Sequence, residues 1–141
     1  MGVIRRIHWK WILAAGFLSE VAVLAIFFLL LLAFTLAGAP EIARPMGTLD
    51  NADALVSSFA MVFLFALWVG KRIETDFVLH GALIGVFGAL LFTGLWIATT
   101  PVLAQPPLYM LAHVLKVVGG ICGGLVAKRK HRAGPGRLPP D

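Results

Sequence analysis

The chain has 141 residues, 60% of them hydrophobic and 13% charged, with a net charge of +5. Typical globular domains are roughly 45–50% apolar and about 25% charged, so a water-soluble fold of this length could not cover its apolar surface, and hydrocarbon must be part of the solvent. The positive charge does not indicate a nucleic-acid partner, because the basic residues fall in short clusters between apolar runs, with no room for a soluble module.

A bilayer-crossing helix needs about 20 apolar residues, and four stretches answer to that, at about residues 11–38, 54–70, 77–99 and 108–127. Arg5, Arg6 and Lys10 precede the first, which is interrupted only by Ser19, Glu20 and Thr35. This start imitates a secretory signal, with Arg5-Arg6 as a twin arginine and Ala37-Gly38-Ala39 as a cleavage site. The apolar region is too long for a signal and Pro40 would follow the cut, so an uncleaved helix is expected. Pro40 and Pro45 bracket the first loop, where a helix cannot continue. Asp50 and Asp53 have the spacing of a capping pair and are expected to open the second helix. That segment is the shortest, carries no charge and ends near Trp68, an interface anchor. Lys71 and Arg72 follow it, and Thr75-Asp76 suits the start of the third helix. Pro101 ends the third, and Pro106-Pro107 fits the first turn of the fourth. The tail, residues 131–141, is rich in Pro, Gly and Arg and is expected to be a disordered basic cytoplasmic end. Residues 1–130 are expected to form one transmembrane domain.

In this arrangement ten of the twelve Lys and Arg residues lie on one side of the membrane, with Arg44 opposite and Lys116 inside a span. The positive-inside rule makes the basic side cytoplasmic. The expected fold is all-α: a polytopic four-transmembrane-helix bundle with both termini inside.

Glu20 and Lys116 are full charges within apolar runs, each costing roughly 2.5–3.5 kcal/mol on insertion scales. At 1.5 Å per residue Glu20 lies about 14 Å from the cytoplasmic start of its segment and Lys116 about 16 Å from the cytoplasmic end of its own. The two are level. They can form an ion pair that fixes bundle register, or serve proton or ion passage. Alternatively the span ends are misplaced, with Glu20 nearer the surface and Lys116 snorkelling. His113 stands three residues before Lys116 on nearly the same face. With Ser57 and Ser58 it could extend a polar track from the outer surface, although hydrogen bonding to a neighbouring helix is the commoner role of such a histidine. His80 and His113 lie about 5 Å and 21 Å from the cytoplasmic face, too far apart in depth to be two axial ligands of one haem.

Glycines recur at four-residue spacing: Gly81, Gly85 and Gly88 in the third segment, and two overlapping GxxxG patterns, Gly119/Gly123 and Gly120/Gly124, in the fourth. Such spacing lets helix backbones approach closely, so the third and fourth helices, or two protomers, are expected to pack there. A phosphate-binding loop is excluded, because no strand precedes the run and no Lys-Ser or Lys-Thr follows it. Cys122 is the single cysteine, which excludes an internal disulfide or a CxxC site. No catalytic motif and no metal cluster is present, and no cofactor is expected.

Val69-Gly70-Lys71-Arg72, the run Leu79-His80-Gly81-Ala82-Leu83-Ile84-Gly85 and the closing Gly119-Gly120, Gly123-Gly124 with its basic flank resemble a family of small four-span bacterial membrane proteins of unknown function. The resemblance covers the second half of the chain. It implies a four-helix fold in a bacterial inner membrane and brings no activity; the first helix has no counterpart, so nothing about Glu20 carries over. The expected function is that of a non-enzymatic structural or accessory membrane protein, in contact with lipid and associating with itself or other membrane proteins through its glycine faces. The other reading is a small proton- or ion-linked transporter or channel using Glu20, Lys116 and His113.

Overall fold

The computed structural model describes residues 7–38, 48–99 and 107–133. Among these the chain forms four helices and no strand: α1 (Trp9–Leu36), α2 (Thr48–Gly70), α3 (Phe77–Thr99) and α4 (Pro107–Arg132). Backbone N–H and C=O groups have no water to bond with in hydrocarbon, and a helix satisfies them within its own segment. Helices α1, α3 and α4 are long and apolar enough to cross a membrane, whereas the apolar part of α2, Ala54–Gly70, is shorter.

Two boundaries differ from expectation. Helix α2 begins at Thr48, so Asp50 lies inside it rather than at its cap. The apolar run marks where lipid-compatible residues begin, while the helical hydrogen-bond ladder continues into polar sequence. Helix α4 likewise runs through Arg132, so His131 and Arg132 belong to it and not to the tail. Arg129, Lys130, His131 and Arg132 occupy its last turn, where cations meet the negative end of the helix dipole. The rest of the tail, residues 134–141, lies outside the described residues, as do Arg5-Arg6, the loop holding Pro40, Arg44 and Pro45, and Pro101 and Pro106. At the end of α1 the Ala37 N–H bonds to the Ala33 carbonyl at 2.9 Å. Gly38 follows at φ 73°, the left-handed conformation by which helices commonly terminate.

Close contacts fix the register of the bundle. Gly81 meets Gly120, Gly85 meets the Lys116 carbonyl and Gly124 meets the Phe77 carbonyl, so α3 and α4 run antiparallel. Gly119 meets the Phe59 carbonyl, Gly123 the Phe63 carbonyl and Gly70 the Ala127 side chain, so α2 and α4 run parallel. Gly16 packs against Phe87 and Gly88 against Glu20, so α1 and α3 run parallel. Helices α1 and α4 each pack chiefly on α2 and α3 and face one another across the diagonal.

The glycine expectation is therefore corrected in its partners. Adjacent helix positions lie about 100° apart around the axis, so the two interleaved glycine pairs of α4 serve two faces. Gly120 and Gly124 receive α3, whereas Gly119 and Gly123 receive α2. Gly88 faces α1 rather than α4. All seven of these glycines are buried within the chain, which leaves none of them free to join a second protomer.

These registers bring the start of α1, the end of α2, the start of α3 and the end of α4 to one end of the bundle. Lys10, Lys71, Arg72, Lys128, Arg129, Lys130 and Arg132 gather there, and Lys116 is the one described Lys or Arg that does not. The Arg72 guanidinium lies 4.0 Å from the Trp68 ring and 5.1 Å from that of Trp11. A cation stacked on indole rings is a favourable contact, of a kind common at membrane interfaces. The hydrophobic core of Ile12, Ala15, Val62, Ala66, Val69, Ile73, Phe77, Ile84 and Ala127 occupies this basic half.

A Cβ on Gly81 would fall on the Gly120 carbonyl, whereas a Cβ on Gly94 of the same helix meets nothing within 4 Å. Gly81→Ala or Gly120→Leu should lower stability in detergent by about 1–3 kcal/mol through overpacking. Gly94→Ala should leave stability unchanged or raise it by roughly 0.5–1 kcal/mol. Unfolding curves of the three variants check the contrast.

Candidate functional site

Glu20 on α1 and Lys116 on α4 meet in the interior. The Lys116 Nζ donates to Glu20 Oε2 at 2.7 Å, with Lys116 2% and Glu20 9% exposed. Because α1 and α4 scarcely touch through their backbones, the long lysine side chain spans the diagonal. The passage is built by small groups around it. Gly85 lets α3 lie against the Lys116 backbone, and one turn on Gly88 leaves the space that the Glu20 carboxylate fills: a Cβ there would sit 2.7 Å from Oε1. Ser19, beside Glu20, returns its hydroxyl proton to the Gly16 carbonyl at 2.8 Å, so that buried hydroxyl makes no demand on the neighbouring helices.

The ammonium has a second partner in the Phe92 ring, 4.7 Å from Nζ to centroid. Phe92 begins an aromatic cluster. Its ring stacks on Tyr109 at 5.7 Å and Trp96 at 6.0 Å, and meets His113 edge-on at 5.5 Å. His113 Nε2 and the Thr93 hydroxyl form a hydrogen bond of 3.3 Å between α4 and α3, so this histidine bonds a neighbouring helix. Among the described residues, His113 Nδ1 and Glu20 Oε1 are buried without a hydrogen-bond partner.

A cavity of about 260 Å³ opens on the side of the ion pair away from the basic end. Phe27 of α1, Ser58 of α2, Trp96 of α3 and Tyr109, His113 and Lys116 of α4 are among its lining residues. The lysine forms its floor, and Glu20 is not part of the lining. The structure thus brings Ser58, His113 and Lys116 around one space. Ser57 is buried but stands outside that lining.

His80 is a separate feature. It is 1% exposed; its Nε2 accepts the His8 backbone N–H at 3.1 Å, and its Nδ1 bonds the Asp76 carbonyl at 2.9 Å. The tautomer that satisfies both carries its proton on Nδ1, so each ring nitrogen is already engaged in tying the start of α1 to that of α3. No described group of three His, Cys, Asp or Glu side chains is placed to hold a metal.

Phe92, Thr93, Tyr109 and Trp96 were not singled out from sequence. Phe92/Trp96 and Tyr109/His113 are i, i+4 pairs, the spacing at which helical side chains meet, so a signal was present. In a chain with aromatic residues on many faces it does not say which pairs turn inward. No protein-family model, curated protein or solved structure matches this chain, so the chemistry of the site rests on its own geometry.

Removing one partner of a buried ion pair typically costs about 3–5 kcal/mol, because the other charge is left uncompensated. Glu20→Gln and Lys116→Met should each lower stability by that order, and the double variant should recover much of the loss. Gly88→Ala should behave as a weaker version of Glu20→Gln by displacing the carboxylate. Urea or SDS unfolding of the four proteins measures all of these effects.

Proposed function

We propose that this chain is a non-enzymatic integral membrane protein of the bacterial inner membrane, a structural or accessory component that crosses the bilayer four times with both termini in the cytoplasm. The observation carrying the structural role is the direct, buried Glu20–Lys116 contact, closed off by the backbone of α3 at Gly85 and Gly88. Such a pair acts on specificity: any slip of α1 against α4 leaves two unpaired charges in hydrocarbon. The fourth crossing is supported by α2, whose apolar part spans about 26 Å at 1.5 Å per residue and lies beside α4 from Phe59 to Gly70. The orientation is supported by the gathering of cations at one end. Association with a second copy or with other membrane proteins would run through surfaces other than the glycines. The outer half of α1, where Phe28, Leu29, Leu32 and Leu36 are exposed, is one such surface.

The cavity favours a second reading, a small proton- or ion-linked transporter. Its floor is Lys116 and its wall includes His113 and Ser58, so water entering it would reach the ion pair from one side. Reconstitution with a pH-sensitive dye separates the two. The structural role predicts no proton flux above that of protein-free vesicles under an imposed gradient. Flux that disappears in Lys116→Met would establish transport instead.

Orientation has its own measurement. In a Cys122→Ser background, single cysteines at Thr48 and Gln105 should react with an impermeant reagent on intact cells, and one at Glu74 should not. Labelling of the Glu74 position from outside would overturn the four-span arrangement.

A further inference from the structure

At the basic end a cavity of about 500 Å³ lies between α2 and α4. Its headgroup-level wall is Lys71, Lys130 and His131, and its deeper wall is Leu64 and Leu67. Trp68 stands between the two levels. Lys71 and Lys130 are exposed, and among the described residues neither takes part in an ion pair and no carboxylate lines the space. His131, also in the lining, packs against the Phe77 ring at 5.2 Å. A specific contact brings the two helix ends together. Gly70 seats the Ala127 side chain, so the ends of α2 and α4 come close, and Lys71, directly after Gly70, and Lys130, about one turn after Ala127, line one opening.

We propose that this cavity is a binding site for an anionic phospholipid, with its phosphodiester between Lys71 and Lys130 and an acyl chain descending over Leu67 and Leu64. The sequence of surfaces along the membrane normal carries the assignment. Cations stand at the headgroup level, an indole at the interface and aliphatic side chains below, which matches an anionic amphiphile at every depth. Basic pockets between transmembrane helices hold such headgroups. Free phosphate would use the lysines alone and leave the leucines without a role. A loose positive-inside cluster would need no cavity and would treat all its cations alike.

The test uses the full chain purified in a neutral detergent. Retention of lipid is read by native mass spectrometry, and thermal unfolding is followed with added phosphatidylglycerol, phosphatidylcholine or inorganic phosphate. The expected result is a retained phosphatidylglycerol and a raised midpoint that phosphatidylcholine and phosphate do not reproduce. The variant Lys71→Gln/Lys130→Gln should weaken retention roughly thirty-fold. Lys71→Arg/Lys130→Arg, which keeps the charge, and Lys10→Gln/Arg129→Gln, which removes equal charge outside the cavity, should retain the lipid. Equal effects of the two phospholipids would overturn the proposal, as would an equal loss in the two Gln double variants. A midpoint shift produced by inorganic phosphate alone would identify a phosphate site and not a lipid site.

Discussion

A charge inside hydrocarbon has to meet its counter-charge, and in this bundle the two sit on helices that do not pack against each other. Lys116 of α4 must reach across the diagonal to Glu20 of α1, and the helices on either side have to accommodate it. The accommodation falls mainly on α3. Gly85 lets its backbone lie on that of Lys116, and Gly88 leaves room for the glutamate. A side chain at either position would push α3 away from the pair it encloses. The Gly81–Gly120 crossing, one turn nearer the basic end, sets how close α3 and α4 come, and so sets the distance that the lysine has to cover. Ion pair and glycine contacts are thus one arrangement, in which backbone proximity makes the contact reachable.

The packing is uneven along the membrane normal. Towards the basic end the interior is filled by Ile12, Val62, Ala66, Val69 and Ile84, and the His8–His80–Asp76 hydrogen bonds hold α1 to α3. Beyond the ion pair the buried face of α1 runs out after Val23, and the cavity opens beneath the aromatic cluster. The pair stands at the boundary between these halves. It is covered on one side by packed aliphatic residues and on the other by the Phe92 ring, which offers the ammonium the negative face of its π-system.

The sequence conveyed depth well and direction poorly. Counting residues from the ends of the apolar runs puts Glu20 and Lys116 level, because helical rise is constant and the start of each span is marked by charge. The same counting separates His80 from His113. The direction in which a residue points is carried by amphipathic periodicity, and a helix surrounded by lipid and by other apolar helices has little of it. This is why the glycines of α4 could be recognised as packing residues while their division between α2 and α3 could not, and why Gly88 was grouped with them although its neighbour is a carboxylate. The boundary errors at Thr48 and Arg132 have a different origin. Hydropathy reports where lipid ends, and a helix is free to continue into water when its terminal residues suit the dipole.

The position of Glu20 bears on the choice between a structural pair and a moving one. Its carboxylate is not part of the cavity lining, which Lys116 reaches, and it packs against Gly88 of α3. A proton entering through the cavity would meet the ammonium first, and exchange with the carboxylate would require the lysine to swing aside. On the basic side Ile12, Ala15 and Ile84 are fully buried, so onward passage would need α1 to shift against α3. That shift is opposed by the seating of Gly16 against Phe87 and by the hydrogen bond from His8 to His80. A carrier of this design would have to break both contacts and part the ion pair in each cycle, exposing two charges to a low-dielectric interior. A structural element makes the pair once, on folding, and keeps it. The direct contact and the glycine fitted against it are consistent with the structural role proposed above.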